Sequence, residues 1–108
     1  YCPGVSLLEF LSPDQEPPEA VALEIQSLFQ RLHDQRISHG DLKATNLLWS
    51  NGRLVVIDLD AVMQHRSERG YARAWRRDRS RLLRNWPASS VLFRWLDRVL
   101  PPAGDRQG

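Results

Sequence analysis

Several things are scarce in this chain, and each scarcity excludes something. It has one cysteine, Cys2, so no internal disulfide can form and a reducing compartment is expected. No run of about 18 apolar residues occurs, so no transmembrane helix is expected. The opening, Tyr1-Cys2-Pro3-Gly4, has neither a basic n-region nor an apolar h-region, so a signal peptide is not expected. It also lacks an initiator Met and reads as the start of a fragment. Three scattered histidines beside one cysteine do not form a zinc pattern. No internal repeat is visible.

A length of 108 residues suits one small domain. Apolar residues at 42% and charged residues at 26% place it among soluble globular chains. The net charge of +2 hides an asymmetry. Residues 1–38 carry six acids and two bases, whereas residues 61–108 carry eleven arginines and four acids. Arginine favours planar, bidentate contact with phosphate or carboxylate.

The densest chemistry lies in His39-Gly40-Asp41-Leu42-Lys43-Ala44-Thr45-Asn46, followed by Val55-Val56-Ile57-Asp58-Leu59-Asp60. Phosphoryl transfer needs a carboxylate to take the acceptor proton, a cation near the transferred group, and oxygen ligands for a divalent ion. Asp41 fits the proton acceptor and Lys43 the cation. Asn46 and Asp58 offer a neutral and an anionic oxygen. Mg²⁺ keeps several waters, so one or two protein oxygens plus phosphates suffice.

The chain between them predicts a hairpin. Leu47-Leu48-Trp49 reads as one strand and Leu54-Val55-Val56-Ile57 as the next. Asn51-Gly52 is a strong turn signal, because a type I′ turn needs positive φ at both central residues. Asn46 precedes the first strand and Asp58 follows the second. A tight antiparallel hairpin therefore brings both to the same open end.

These motifs resemble the protein-kinase fold, whose catalytic loop reads His-Arg-Asp-Leu-Lys-x-x-Asn and whose metal strand ends Asp-Phe-Gly. The resemblance implies Asp41 as catalytic base, Lys43 as γ-phosphate contact, Asn46 and Asp58 as Mg²⁺ ligands, and His39 as a structural residue. Gly40 stands where regulated kinases carry an Arg, which argues against control through an activation-loop phosphate. His-Gly-Asp-Leu-Lys with Asp-x-Asp and an Arg-rich stretch after it is most similar to the lipopolysaccharide core kinases (3-deoxy-octulosonic acid and heptose kinases). Asp60 is read either as a further metal or water ligand or as a turn acid. The implied substrates are ATP with Mg²⁺ and a sugar hydroxyl of a lipopolysaccharide core. A cytoplasmic site, peripheral on the inner membrane, goes with them.

The same resemblance reads Tyr1 and Cys2 as part of a nucleotide-binding hinge, equally well as a frayed terminus, with Val5 to Leu11 as the short helix that follows. Ser12 to Pro18 is a loop by its prolines. Glu19 to Gln35 is a predicted helix, with Ala22, Ile25, Leu28, Phe29 and Leu32 on one face, packed under the hairpin. His33 is read as structural or surface. Gln64 to Arg84 predicts one helix or two, rich in arginine from Arg66 to Arg84. This segment reads either as a solvated face or as a surface for a phosphorylated glycolipid or anionic membrane. Val91 to Leu100 predicts a last helix capped by Ser89-Ser90, and residues 101–108 a disordered tail.

The expected class is α+β, mainly α: a kinase-like C-terminal lobe over residues 1–100, with the N-terminal lobe absent. That lobe carries the Gly-rich loop and the Lys–Glu pair that grip the nucleotide. None of these is in the sequence, so the fragment alone is expected to be inactive and to expose an apolar face. Two other readings stay open. One is a kinase of the same fold acting on protein or a small alcohol such as choline or an aminoglycoside. The other is a dead site beside an arginine-rich anion- or membrane-binding helix. No nucleic-acid partner is expected.

Overall fold

The computed structural model describes residues 4–102. The hinge expectation for Tyr1 and Cys2 lies outside those residues, as does most of the expected tail. The architecture is α+β, with four α-helices around two small antiparallel sheets.

Strand β1 (Val5–Ser6) leads directly into the short helix α1 (Leu7–Phe10), where Ser6 Oγ caps the first turn. Helix α2 spans Glu19–Asp34. It starts after two prolines, which suit a first turn whose amide groups need no helical partner. Glu19 in the first turn and Arg31 and His33 in the last complement the helix dipole. It stops one residue before the predicted end. Arg36 adopts a left-handed φ of 55°, which turns the chain out of the helix.

Strand β2 (Ile37–Ser38) follows, then the catalytic-loop sequence, a 3₁₀ turn over Ala44–Asn46, β3 (Leu47–Ser50) and β4 (Arg53–Val56). The hairpin is the one predicted. Leu47 faces Val56 and Ser50 faces Arg53, and Asn51 and Gly52 have φ of 52° and 76°, as a type I′ turn requires. The sheet also has a third strand, since β1 pairs with β3 on the far side from β4. The carboxylate of Glu24 on α2 accepts the Leu54 amide at 3.2 Å, so α2 does pack under the hairpin.

After a 3₁₀ turn (Leu59–Ala61), β5 (Met63–Gln64) pairs with β2. Helix α3 is a single helix, Glu68–Leu83, capped by Ser67 Oγ on the Gly70 amide. Its buried positions Tyr71, Trp75, Asp78 and Leu82 recur at helical spacing and form one inward stripe. Helix α4 (Val91–Val99) is capped by Ser90 Oγ on the Phe93 amide.

The core gathers Val21, Ile25 and Phe29 of α2, Trp75 and Leu82 of α3, and Leu92, Trp95 and Leu96 of α4. The Phe29 and Trp75 rings sit 5.7 Å apart, within the range of a favourable aromatic pair. Pro101 is held as well: its carbonyl accepts from Trp75 Nε1 at 2.9 Å and from Arg79 Nε at 3.1 Å. Apolar side chains do remain exposed, among them Phe10, Leu59, Val62 and Met63.

Candidate active site

The loop from Asp41 to Asn46 alternates. Leu42, Ala44 and Asn46 are buried, whereas Asp41 and Lys43 are half-exposed and Thr45 is exposed. Leu42 and Ala44 are drawn into the core with Leu47, and burying each leucine stabilises by about 2 kcal/mol. The polar side chains between them are thereby turned outward. The Asp41 carbonyl accepts the Lys43 amide at 2.9 Å and Asn46 Nδ2 at 2.9 Å, and the Lys43 carbonyl accepts the Asn46 amide. Lys43, the one lysine of the chain, places Nζ 3.4 Å from Asp41 Oδ2. At that exposure the pair adds little stability. It does set a cation beside a carboxylate.

His39 is 3% exposed and braces the loop from within. The Ile57 carbonyl lies 2.9 Å from its Nε2, and its Nδ1 accepts the Asp41 amide at 3.2 Å. A carbonyl can only accept and an amide can only donate. The proton therefore sits on Nε2, and both ring nitrogens are committed to backbone. That agrees with a structural role for His39.

Asn46 and Asp58 meet as the hairpin predicts. The Ile57 amide donates to the Asn46 carbonyl at 2.9 Å, which seats Asp58 next to that closure. Asp58 adopts left-handed backbone, φ 60° and ψ 66°, a conformation Asp tolerates better than most residues. Its carboxylate is exposed. Asn46 uses its amide nitrogen on Asp41 and keeps its side-chain oxygen for another partner. One carboxylate and one amide oxygen, with waters and phosphates for the rest, suit a hard divalent cation such as Mg²⁺. Among the described residues no cluster of three or more His, Cys, Asp or Glu exists, so a closed structural metal site is not formed there. Asp60 lies in the exposed 3₁₀ turn after Asp58.

The key support comes from a residue that the sequence reading passed over. Asp78, on the buried stripe of the arginine-rich α3, accepts the His39 amide at 2.7 Å and the Gly40 amide at 3.0 Å. It is 3% exposed. Burial pushes its carboxyl above the usual aspartate range, while the two amide bonds and the His39 and His65 rings pull the other way. A signal was there: Asp78 is the one acid between Glu68 and Asp97, at the helical position of Tyr71, Trp75 and Leu82.

Gly40 makes a second link. Its φ is +91°, and an added Cβ would stand 2.6 Å from the Ala61 Cβ and 2.8 Å from the Ala61 carbonyl oxygen. The glycine that replaces a kinase arginine is thus also needed locally, because the turn after Asp58 packs directly on it. Nearby, Ser38 Oγ lies 2.8 Å from His65 Nε2, and His33 Nδ1 lies 3.0 Å from the Tyr71 hydroxyl. Burial, with Asp78 next in importance, pushes the Tyr71 hydroxyl up to about 12. His33, read as structural or surface, is half-buried and engaged by Tyr71.

The profile of the lipopolysaccharide kinase (Kdo/WaaP) family matches residues 4–94. The chain belongs to that family. No match to a curated protein accompanies it. Membership makes this a chain of a kinase family named for lipopolysaccharide. In this member of the lipopolysaccharide kinase family the matched residues include Asp41, Lys43, Asn46, Asp58 and Asp60, and also Asp78. Among the described residues no helix is long and apolar enough to cross a membrane.

Proposed function

We propose that this chain carries the catalytic loop and metal-side strand of an ATP-dependent kinase with a protein-kinase-like C-terminal lobe. Its acceptor is a hydroxyl on a lipopolysaccharide core sugar. One observation carries the reading: Asp41, Lys43, Asn46 and the Asp58 turn converge at the open end of one hairpin, in a chain of a lipopolysaccharide kinase family.

The acceptor hydroxyl lies against Asp41, whose carboxylate orients it and takes its proton. The acceptor oxygen bonds to the γ-phosphorus as the bond to the leaving ADP oxygen breaks. Lys43 sets positive charge beside the moving phosphoryl group. Asn46 and Asp58 would hold Mg²⁺, with Asp60 close enough in the chain to hold one of its waters. Bound Mg²⁺ neutralises charge on the phosphate oxygens. Asp78 and His39 keep Asp41 in place before substrate arrives, which matters because small misplacements are costly in rate. The grip on the α- and β-phosphates falls to a β-rich lobe outside the described residues. A membrane-linked acceptor would support a cytoplasmic protein that works peripherally on the inner membrane.

The test is Mg²⁺-dependent transfer of labelled γ-phosphate by the protein supplied with that lobe, to lipopolysaccharide core, to a peptide and to choline. Transfer to the core, lost in Asp41→Asn and Asp58→Asn, is expected. Transfer to peptide or choline alone would keep the chemistry and discard the acceptor. ATP binding that ignores Asp58→Asn, with no transfer to anything, would discard both.

A further inference from the structure

Helix α3 carries two kinds of arginine. Arg79 is paired, with Asp97 at 3.0 Å and with backbone carbonyls at Asp97 and Pro101. Elsewhere in the fold Arg36 pairs with Glu68, Arg53 with Glu24 and Arg98 with Glu16. Arg77, Arg81 and Arg84 have no carboxylate partner among the described residues. They follow one another four and three positions apart, so they share one side of the helix. Arg77 and Arg84 are exposed and Arg81 is half-buried. All three line an open cleft of about 460 Å³ that Gly40, Asp41 and Leu42 also line.

Two carboxylates border that cleft. Asp41 is the proposed base, with Lys43 beside it. Asp78 has both oxygens engaged by the amides of His39 and Gly40. The cleft therefore keeps unbalanced positive charge beside Asp41, which attracts anions. The volume is that of a small-molecule site and accommodates a sugar ring with a substituent.

We infer that this cleft is an acceptor subsite, in which Arg77, Arg81 and Arg84 bind a carboxylate or phosphate carried by the same sugar that presents its hydroxyl to Asp41. The inference rests on the kinase reading for the identity of Asp41 as base. It explains why the arginines sit on this helix. Asp78 pins the catalytic loop to α3, so one rigid element fixes both the anion contacts and Asp41. The spacing between the acceptor's anion and its reactive hydroxyl is then selected by the fold. Guanidinium groups suit the task because their forks match carboxylate and phosphate oxygens. Arg69 and Arg73, near the start of the same helix, are exposed and outside the cleft. They serve as the built-in control.

The experiment is calorimetric titration of the chain with glucuronate, glucose 6-phosphate and uncharged glucose, and with vesicles containing an anionic phospholipid. Saturable binding of a charged sugar, with none of glucose, is expected. The double variant Arg81→Gln/Arg84→Gln, checked for unchanged thermal unfolding, should weaken it about tenfold or more. The Arg69→Gln/Arg73→Gln variant should leave it unchanged. Equal weakening in both variants would overturn the inference, since a diffuse field and not a site would be responsible. So would binding of vesicles alone, or no saturable binding of either charged sugar. In the transfer assay the Arg81/Arg84 variant should raise KM for an anionic acceptor far more than it lowers kcat. Asp58→Asn separates the two readings. It should abolish transfer yet leave sugar binding intact, so binding without transfer in the unaltered protein would fail the kinase reading alone.

Discussion

The two banks of the site are built differently. The bank from His39 to Asn46 is woven into the core. His39, Leu42, Ala44 and Asn46 are buried, and Asp78, the Ile57 carbonyl and the Asp41 carbonyl take up its polar groups. The bank from Asp58 to Gln64 lies open. Leu59 is 60% exposed and Met63 56%, and the segment is tied down chiefly by the β2–β5 pairing and by Ala61 against Gly40. The groups proposed to handle a proton need fixed geometry before substrate arrives, and the buried anchors of this bank supply it. The carboxylate that would meet a cation stands on a turn whose apolar neighbours are uncovered, so that bank can respond to whatever binds over it. Regions with few buried contacts open at low free-energy cost.

Substitutions can break this contrast, and the largest effect is expected at the proposed base. Asp41→Asn should lower kcat by roughly 10²- to 10⁴-fold, the range for loss of a general base. Its thermal unfolding should stay close to that of the unaltered chain, because a half-exposed ion pair stabilises little. A large drop in stability would mean that Asp41 is structural. Asp78→Ala attacks the buried bank itself. It leaves the His39 and Gly40 amides without acceptors, which costs about 3 kcal/mol or more. Urea unfolding should show it, and an unchanged midpoint would mean that the loop holds itself. Gly40→Ala probes the seam between the banks. Positive φ and the Ala61 clash together should cost about 2 kcal/mol, and hydrogen exchange should rise in residues 58–64 more than in residues 42–47. Equal rises would erase the distinction between the banks.

Smaller effects sharpen the comparison. Because the Asp78 carboxyl is raised, the folded state holds its proton to higher pH than the unfolded chain does. Stability from this group is therefore greatest below the ordinary aspartate value and falls as pH rises through the raised folded value. Its slope is at most about 1.4 kcal/mol per pH unit. Urea midpoints from pH 3 to 7 should show this slope, and Asp78→Asn should remove it. Gly52→Ala is the mildest change. A Cβ there meets nothing within 4 Å, so the cost is the φ of 76° alone, about 1 kcal/mol, with the site unaltered. A loss of transfer activity in this variant would show that hairpin register, and not the loop anchors, sets the Asn46–Asp58 approach.

Much of this was legible in the residues because it is local. Asn51-Gly52 demands positive φ, so the hairpin and the meeting of Asn46 with Asp58 follow from turn chemistry. Ser90, one of the two serines read as a cap, does cap the last helix through its side chain. The third strand was not legible, since Val5-Ser6 is too short to carry a period and its pairing with Leu48 and Trp49 is long-range. Nor was the role of Gly40 against Ala61, a contact between two loops. The arginine run was visible, yet its split into paired, solvated and cleft-lining members depends on which acids the fold brings near.

Chemistry at short range, then, was written in the chain. The residue types of His39 to Asn46, the hairpin that returns Asp58, and the helical periods all follow from steric preference and hydrogen bonding between near neighbours. Tertiary structure alone decided that a lone acid in a basic helix would anchor the loop that starts at His39. It also decided that three arginines beside that acid would line the same open cleft as Asp41. The physical reason is burial: packing turns the Tyr71, Trp75, Asp78 and Leu82 stripe inward, and everything else on α3 takes its direction from that one rotation.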